Sequence, residues 1–167
     1  TDGIASALSS VCSAIDYKSA QPLAPLVPEA APPSMIAPLG DTRNPQRFLT
    51  TSNPVCSDWT SELSKFDSDT ADWRALDPKV PADQWTPEQK AINDAVVPVM
   101  SAHADSIEKL ARRSDNAVFE DVGVLSALYQ RAFVKAIPTY AVSDNYLSES
   151  ATFLASSINA ACKATVG

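Results

Sequence analysis

Apolar residues recur every three or four positions in four separate segments between Val55 and Lys163. The first carries Val55, Trp59, Leu63, Phe66, Thr70 and Trp73. The second carries Ile92, Val96, Val99 and Met100, His103, Ile107 and Leu110. The third carries Val118, Val122, Leu125, Tyr129, and Ala132 and Phe133. The fourth carries Leu147, Ala151, Leu154, Ile158 and Ala161. Such spacing draws one apolar stripe along each of four helices. No stripe can be buried alone, so the four imply a common core. Short connections make successive helices antiparallel. The expected architecture is all-α: a four-helix up-down bundle over 54–167, preceded by a proline-rich extended arm over 18–53 and a short helix over 1–17.

Capping and breaking residues set the expected boundaries. Thr51, Ser52 and Asn53 offer N-caps before Pro54, a residue that suits a first helical turn. This first helix is expected to reach about Leu76, where Pro78 and Pro81 stop it and Trp85 covers the joint. Thr86-Pro87-Glu88-Gln89 spells a capping box with proline at the first helical position. The helix it opens extends to about Arg113 and contains Pro98, which must either bend it or break it. Ser114, Asp115 and Asn116 supply the next turn. The third helix ends before Pro138 and contains Gly123, a position that admits close backbone approach by Trp59 or by the proline-rich arm. Ser143 or Asp144 caps the fourth helix. Upstream, Ile4, Leu8, Val11 and Ile15 with Asp2 as cap define the short N-terminal helix. Seven prolines between Pro22 and Pro45 exclude regular helix from the arm and favour polyproline II.

The up-down order decides the cysteine reading. The start of the first helix and the end of the last lie at one pole, so Cys56 and Cys162 are expected to pair. Closing a loop of roughly 100 residues stabilises by about 4–5 kcal/mol on the chain-entropy model. The alternative is three reduced, buried thiols. Cys12 is left over; it would compete for one of the other two, pair between chains, or stay free. None of the three follows a zinc-ligand spacing.

Composition narrows the function classes. A formal net charge of −7 over 167 residues disfavours nucleic acid and anionic membrane as primary partners. Lys109, Arg112 and Arg113, the densest basic group, fall where they complement a helix dipole. Only four glycines occur, too few for a turn-rich β fold, and there is no glycine-rich phosphate loop. No apolar run is long enough to span a bilayer, so membrane association is expected only through an anchor absent from this chain. Thr1 in place of a Met points to a start after a removed signal or anchor, or at an artificial boundary.

His103 is the sole histidine and falls on an apolar stripe. It is expected to be a buried neutral imidazole bonded to a hydroxyl, level with Trp59 on the first helix and Ser126 on the third. Trp59, Met100, His103 and Tyr129 define the candidate ligand pocket, which would take lipid or haem. Bundle metal sites combine several ligands such as paired Glu-x-x-His motifs, and none occurs here, so no metal or cofactor is assigned. Asp67, Asp69 and Asp72 lack the glycine and the bidentate glutamate of a calcium loop and read as a solvated face. Without GxSxG, a thiol-enzyme signature or a dinucleotide fingerprint, no catalytic residue is assigned. Tyr140 and Asp144 match the YxxxD spacing of type VII secretion substrates. They precede the last helix instead of following a helical hairpin, and Trp59, Trp73 and Trp85 are not followed by x-Gly, so the match is set aside as coincidence.

Richness in Ala, Pro, Ser and Asp with few Lys resembles the exported or envelope helical proteins of high-GC actinobacteria. That resemblance implies an extracytoplasmic setting and leaves activity open. The sequence therefore predicts a non-enzymatic binding or accessory protein at the cell envelope, meeting a protein partner through residues 1–50. The alternatives are a carrier of a small apolar ligand and an enzyme without a recognisable signature.

Overall fold

A computed structural model describes residue 43 and residues 47–165. The short N-terminal helix, nearly all of the proline-rich arm, and Cys12 lie outside the described residues. Those described belong to one compact unit, Ile36–Gly167. They are all-helical, with no strand among them. Five α-helices follow in order: α1 (Cys56–Asp69), α2 (Ala71–Arg74), α3 (Pro87–Ala111), α4 (Ala117–Ala136) and α5 (Asn145–Lys163).

The four expected stripes become α1 with α2, then α3, α4 and α5. The first departs from expectation at Thr70. There the Thr70 hydroxyl and N–H both donate to the Phe66 carbonyl, at 2.7 and 3.0 Å, and the helix stops before one further turn. The remaining starts follow their local chemistry. Thr86 accepts from the Gln89 N–H while the Gln89 side chain accepts from the Thr86 N–H, closing the capping box at α3. The Asn116 side chain accepts from the Phe119 N–H at 3.0 Å to cap α4. Pro98 sits inside an unbroken α3 on its solvent side, where water can serve the carbonyl that loses its donor.

Residue pairings fix how the helices meet. On α3 and α4, Ala111 faces Gly123, while Arg131 pairs with Asp105 at 2.7 Å and Glu108 at 2.6 Å. On α4 and α5, the Ser126 hydroxyl donates to the Ala151 carbonyl at 2.8 Å. On α1 and α5, Trp59 donates to the Ala155 carbonyl at 3.2 Å and Thr60 to Asn159 at 2.8 Å. Cys56 and Cys162 are joined by a disulfide, with Cα atoms 5.5 Å apart.

The core has two parts. Around the disulfide end, Leu49, Val55, Trp59, Ile107, Phe119 and Ile158 pack together. Toward the other end, Val96, Met100, Phe133, Ile137 and Tyr140 form a second cluster, against which Phe66, Trp73 and Trp85 lie. Gly123 belongs to the first. A Cβ there would stand 2.6 Å from the Ala111 Cβ and 3.2 Å from the Trp59 ring. The approach anticipated at this glycine is made by Trp59, and the missing side chain is what lets α3, α4 and the indole share one seam.

Candidate functional site

The segment between α2 and α3 contains Pro78 and Pro81 and cannot continue a helix, so its backbone must find partners elsewhere. It finds them on the turn between α4 and α5. Ala82 donates its N–H to the Tyr140 carbonyl at 2.9 Å, and the Tyr140 hydroxyl returns a 2.7 Å bond to the Pro78 carbonyl. Asp77 turns the loop by accepting from the Lys79 N–H at 2.9 Å. Trp85 folds back to donate to the Val80 carbonyl at 2.9 Å.

Four rings follow one another across this joint. Trp73 meets Phe133 edge-on at 5.6 Å between centroids, Phe133 meets Tyr140 edge-on at 6.1 Å, and Tyr140 stacks on Trp85 at 5.9 Å. Trp73 is held by a 3.0 Å bond to the Asn93 side-chain oxygen, and the Asn93 amide is anchored on the Gln89 carbonyl at 2.9 Å. Between the rings and the loop lies a half-open groove of about 340 Å³. Trp73, Leu76, Pro78, Val80, Trp85 and Phe133 give it an apolar floor, with Asp77, Gln89, Asn145 and Glu149 around it. Burial, with nearby Asp144, Glu149 and Asp77, holds the Tyr140 phenol above its ordinary pKa, so it remains a proton donor to Pro78 at neutral pH. The expected role of Trp85 as cover for the joint is one part of this larger arrangement. Tyr140 and Asp144 both have structural work here: the Asp144 carboxylate accepts from the Ala141 N–H at 2.8 Å.

The four residues proposed from sequence as a pocket are placed as follows. Trp59 is fully buried, edge-on to Phe119 at 5.1 Å. Met100 is fully buried in the second cluster. Tyr129 is half-buried on α4. His103 lines two shallow grooves either side of α1. Its hydrogen-bond partner corrects the sequence expectation: Nδ1 lies 3.1 Å from the Glu62 carboxylate, not from a hydroxyl, and the ring stacks on Phe66 at 3.8 Å. Counting turns back from the helix connections placed His103 about one turn too near the start of α1.

Burial outweighs the Glu62 carboxylate and holds His103 below its ordinary pKa of 6.5, so the imidazole is neutral at pH 7 and donates from Nδ1. The unfolded chain therefore takes up a proton more readily than the folded one. Stability from this site is complete above about pH 6.5 and declines as pH falls from there toward the lower folded value. Urea unfolding at about pH 7.5 and 5.5 should show a loss in the native chain that is smaller in His103→Gln. An equal loss in both would remove His103 from the acid response.

These observations define a disulfide-closed helical protein with a half-open aromatic groove where the α2–α3 segment meets the start of α3 and the α4–α5 turn. The chain belongs to the family described as mycobacterial ESX-1 associated protein, whose model matches residues 1–167. It is 44% identical over 160 residues to an uncharacterized protein of Mycolicibacterium smegmatis (strain MKD8), covering 96% of this chain. The chain spans 42% of the length of that curated relative. No solved structure matches. The family's description ties it to ESX-1. No helix among the described residues is long and apolar enough to cross a membrane.

Proposed function

We propose that this chain is a non-enzymatic accessory protein of ESX-1-linked secretion that works outside the cytoplasm by docking a partner polypeptide. In this reading α1, α3, α4 and α5 form an up-down-up-down four-helix bundle, and the bundle is a rigid frame for the aromatic groove. The observation that carries the proposal is the groove itself: an apolar floor of rings and prolines inside a polar rim is the anatomy of a surface that receives an anchoring side chain. The Cys56–Cys162 bond supports the compartment, because such bridges persist in oxidising surroundings. Residues 1–50 remain a second proposed contact region, nearly all of it outside the described residues.

A carrier of a small apolar ligand is the second reading. It is favoured by the groove volume of about 340 Å³, which falls within the range of small-molecule pockets. One experiment separates the two. A photo-crosslinking amino acid at the exposed lining position Arg74, expressed in a mycobacterial host with an active ESX-1 system, should form an adduct with one polypeptide. That adduct should be lost when Val80→Asp spoils the groove. A lipid or small-molecule adduct would favour the carrier, and no adduct would overturn docking at this groove.

A further inference from the structure

The outer faces of the helices differ in charge. α3 exposes Glu88, Lys90, Asp94, Asp105 and Lys109, whereas Lys163 is the only charged residue among the exposed positions of α5. The large apolar side chains left exposed among the described residues all fall on α4, on α5 or on the turn between them: Leu125, Leu128, Val142, Tyr146 and Phe153. Tyr146 and Phe153 are each 69% exposed. An aromatic side chain presents about 150–250 Å², so each leaves roughly 100–170 Å² in water. Single exposed apolar residues need no explanation, but a group of them on adjacent helices marks an interaction surface.

The spacing within α5 shows how that surface is laid out. The side toward the core buries Ala151, Ala155, Ile158 and Cys162. On the other side Tyr146, Ser150, Phe153, Ser157 and Ala160 follow steps of four and three, a second seam of the kind that packs helix on helix. Leu125 flanks its middle, since Leu125 and Phe153 both lie within one turn of the bond from the Ser126 hydroxyl to the Ala151 carbonyl.

This seam is complementary to itself when reversed. A second α5 laid antiparallel against the first, on a two-fold axis at Phe153, brings Tyr146 of each copy onto Ala160 of the other. Ser150 comes level with Ser156 and its neighbour Ser157, and the two Phe153 rings meet at the axis. Large faces small at both ends, which is what an isologous contact requires. Neither charged residue of the helix meets its own kind: Glu149 comes level with Ser157, and Lys163 with Ser143. A parallel pairing would set Tyr146 on Tyr146 and Glu149 on Glu149. The exposed apolar residues of two copies, with the small residues between them, bring together about 1,000 Å², the least that a specific interface needs. A convex helix face cannot enclose a small ligand, and a net charge of −7 disfavours an anionic bilayer.

We propose that this chain forms a two-fold symmetric dimer in which α5 packs antiparallel on α5 of a second copy, with Phe153 at the axis and Leu125 beside it. Asn145 and Glu149, at the start of α5, line the aromatic groove, so reversing the helices sets the two aromatic grooves at opposite ends of the pair. The dimer does not depend on docking at those grooves.

The test is sedimentation equilibrium of the full oxidised chain carrying Cys12→Ser, so that no bridge through that residue joins two copies. Between about 1 and 200 µM the mass should rise toward twice the 17.7 kDa of one chain, with a micromolar Kd suited to so small an interface. Phe153→Asp sets two carboxylates at the axis and should weaken association by about a hundredfold or more, with helical content unchanged because the position is exposed. Ala160→Tyr crowds Tyr146 of the other copy and should also dissociate the pair. Adding Tyr146→Ala to Ala160→Tyr moves the ring to the other end of each helix and should restore it. Ala95→Tyr, at an exposed position of α3, should leave association unchanged. A chain that stays monomeric throughout would mean that another segment or a different partner covers this face, and would overturn the proposal. So would a dimer that survives Phe153→Asp, or a Tyr146–Ala160 exchange that fails to restore one.

Discussion

Replacing Cys56 and Cys162 together by alanine should lower stability by about 4–5 kcal/mol on the chain-entropy model, which for a chain of this size is roughly 10–20 °C in Tm. The bond joins residues 106 apart, so it removes a long loop's freedom from the unfolded state, and that separation sets the size of the effect. Both ends are buried beside the first core cluster, where two alanines leave little polar residue behind. Thermal melts of the double variant against the native chain, with and without reductant, measure it. Reductant should bring the native chain down to the variant, while the variant should not respond. A native chain indifferent to reductant would show that the bridge constrains little.

The second large effect is expected at Trp59. This side chain is fully buried, lies edge-on to Phe119, closes over Gly123 and bonds to the Ala155 carbonyl. It thus touches α4 and α5 from α1, which otherwise meets α5 near the disulfide. Trp59→Ala should cost about 3–5 kcal/mol, the range for emptying an aromatic site in a packed core. Trp59→Phe should cost distinctly less, since the ring still fills much of the space and loses chiefly the N–H bond. Denaturant unfolding gives both values. Equal losses in the two variants would mean that the hydrogen bond, and not the volume, holds this seam together.

The long helices and their bridge were legible because their determinants are local. The stripes at steps of three and four, the Thr86–Gln89 capping box and the Asn116 cap all act within a few residues. The cysteine pairing needed only the order of the helices. What the sequence did not disclose depends on distant partners. The break at Thr70 is the exception and has no distinctive spelling, since its hydroxyl bonds an i−4 carbonyl just as Ser61 and Ser64 do inside the unbroken helix. The aromatic groove needs Pro78 and Ala82 to meet Tyr140, about sixty residues away in sequence. Only the two prolines and Trp85 hinted that something closes there. Glu62 was overlooked as the partner of His103 because turn counting cannot resolve a one-turn offset between helices.

An oxidised chain outside the cytoplasm, closed on itself at one pole, is the claim on which the rest depends. It is tested most directly by recovering the protein from a mycobacterial host, trapping free thiols by alkylation at harvest, and mapping its peptides without reduction. The account predicts that the peptide bearing Cys56 is found joined to the peptide bearing Cys162, with neither sulfur alkylated. Recovery of folded protein with alkyl groups on both Cys56 and Cys162 would contradict it.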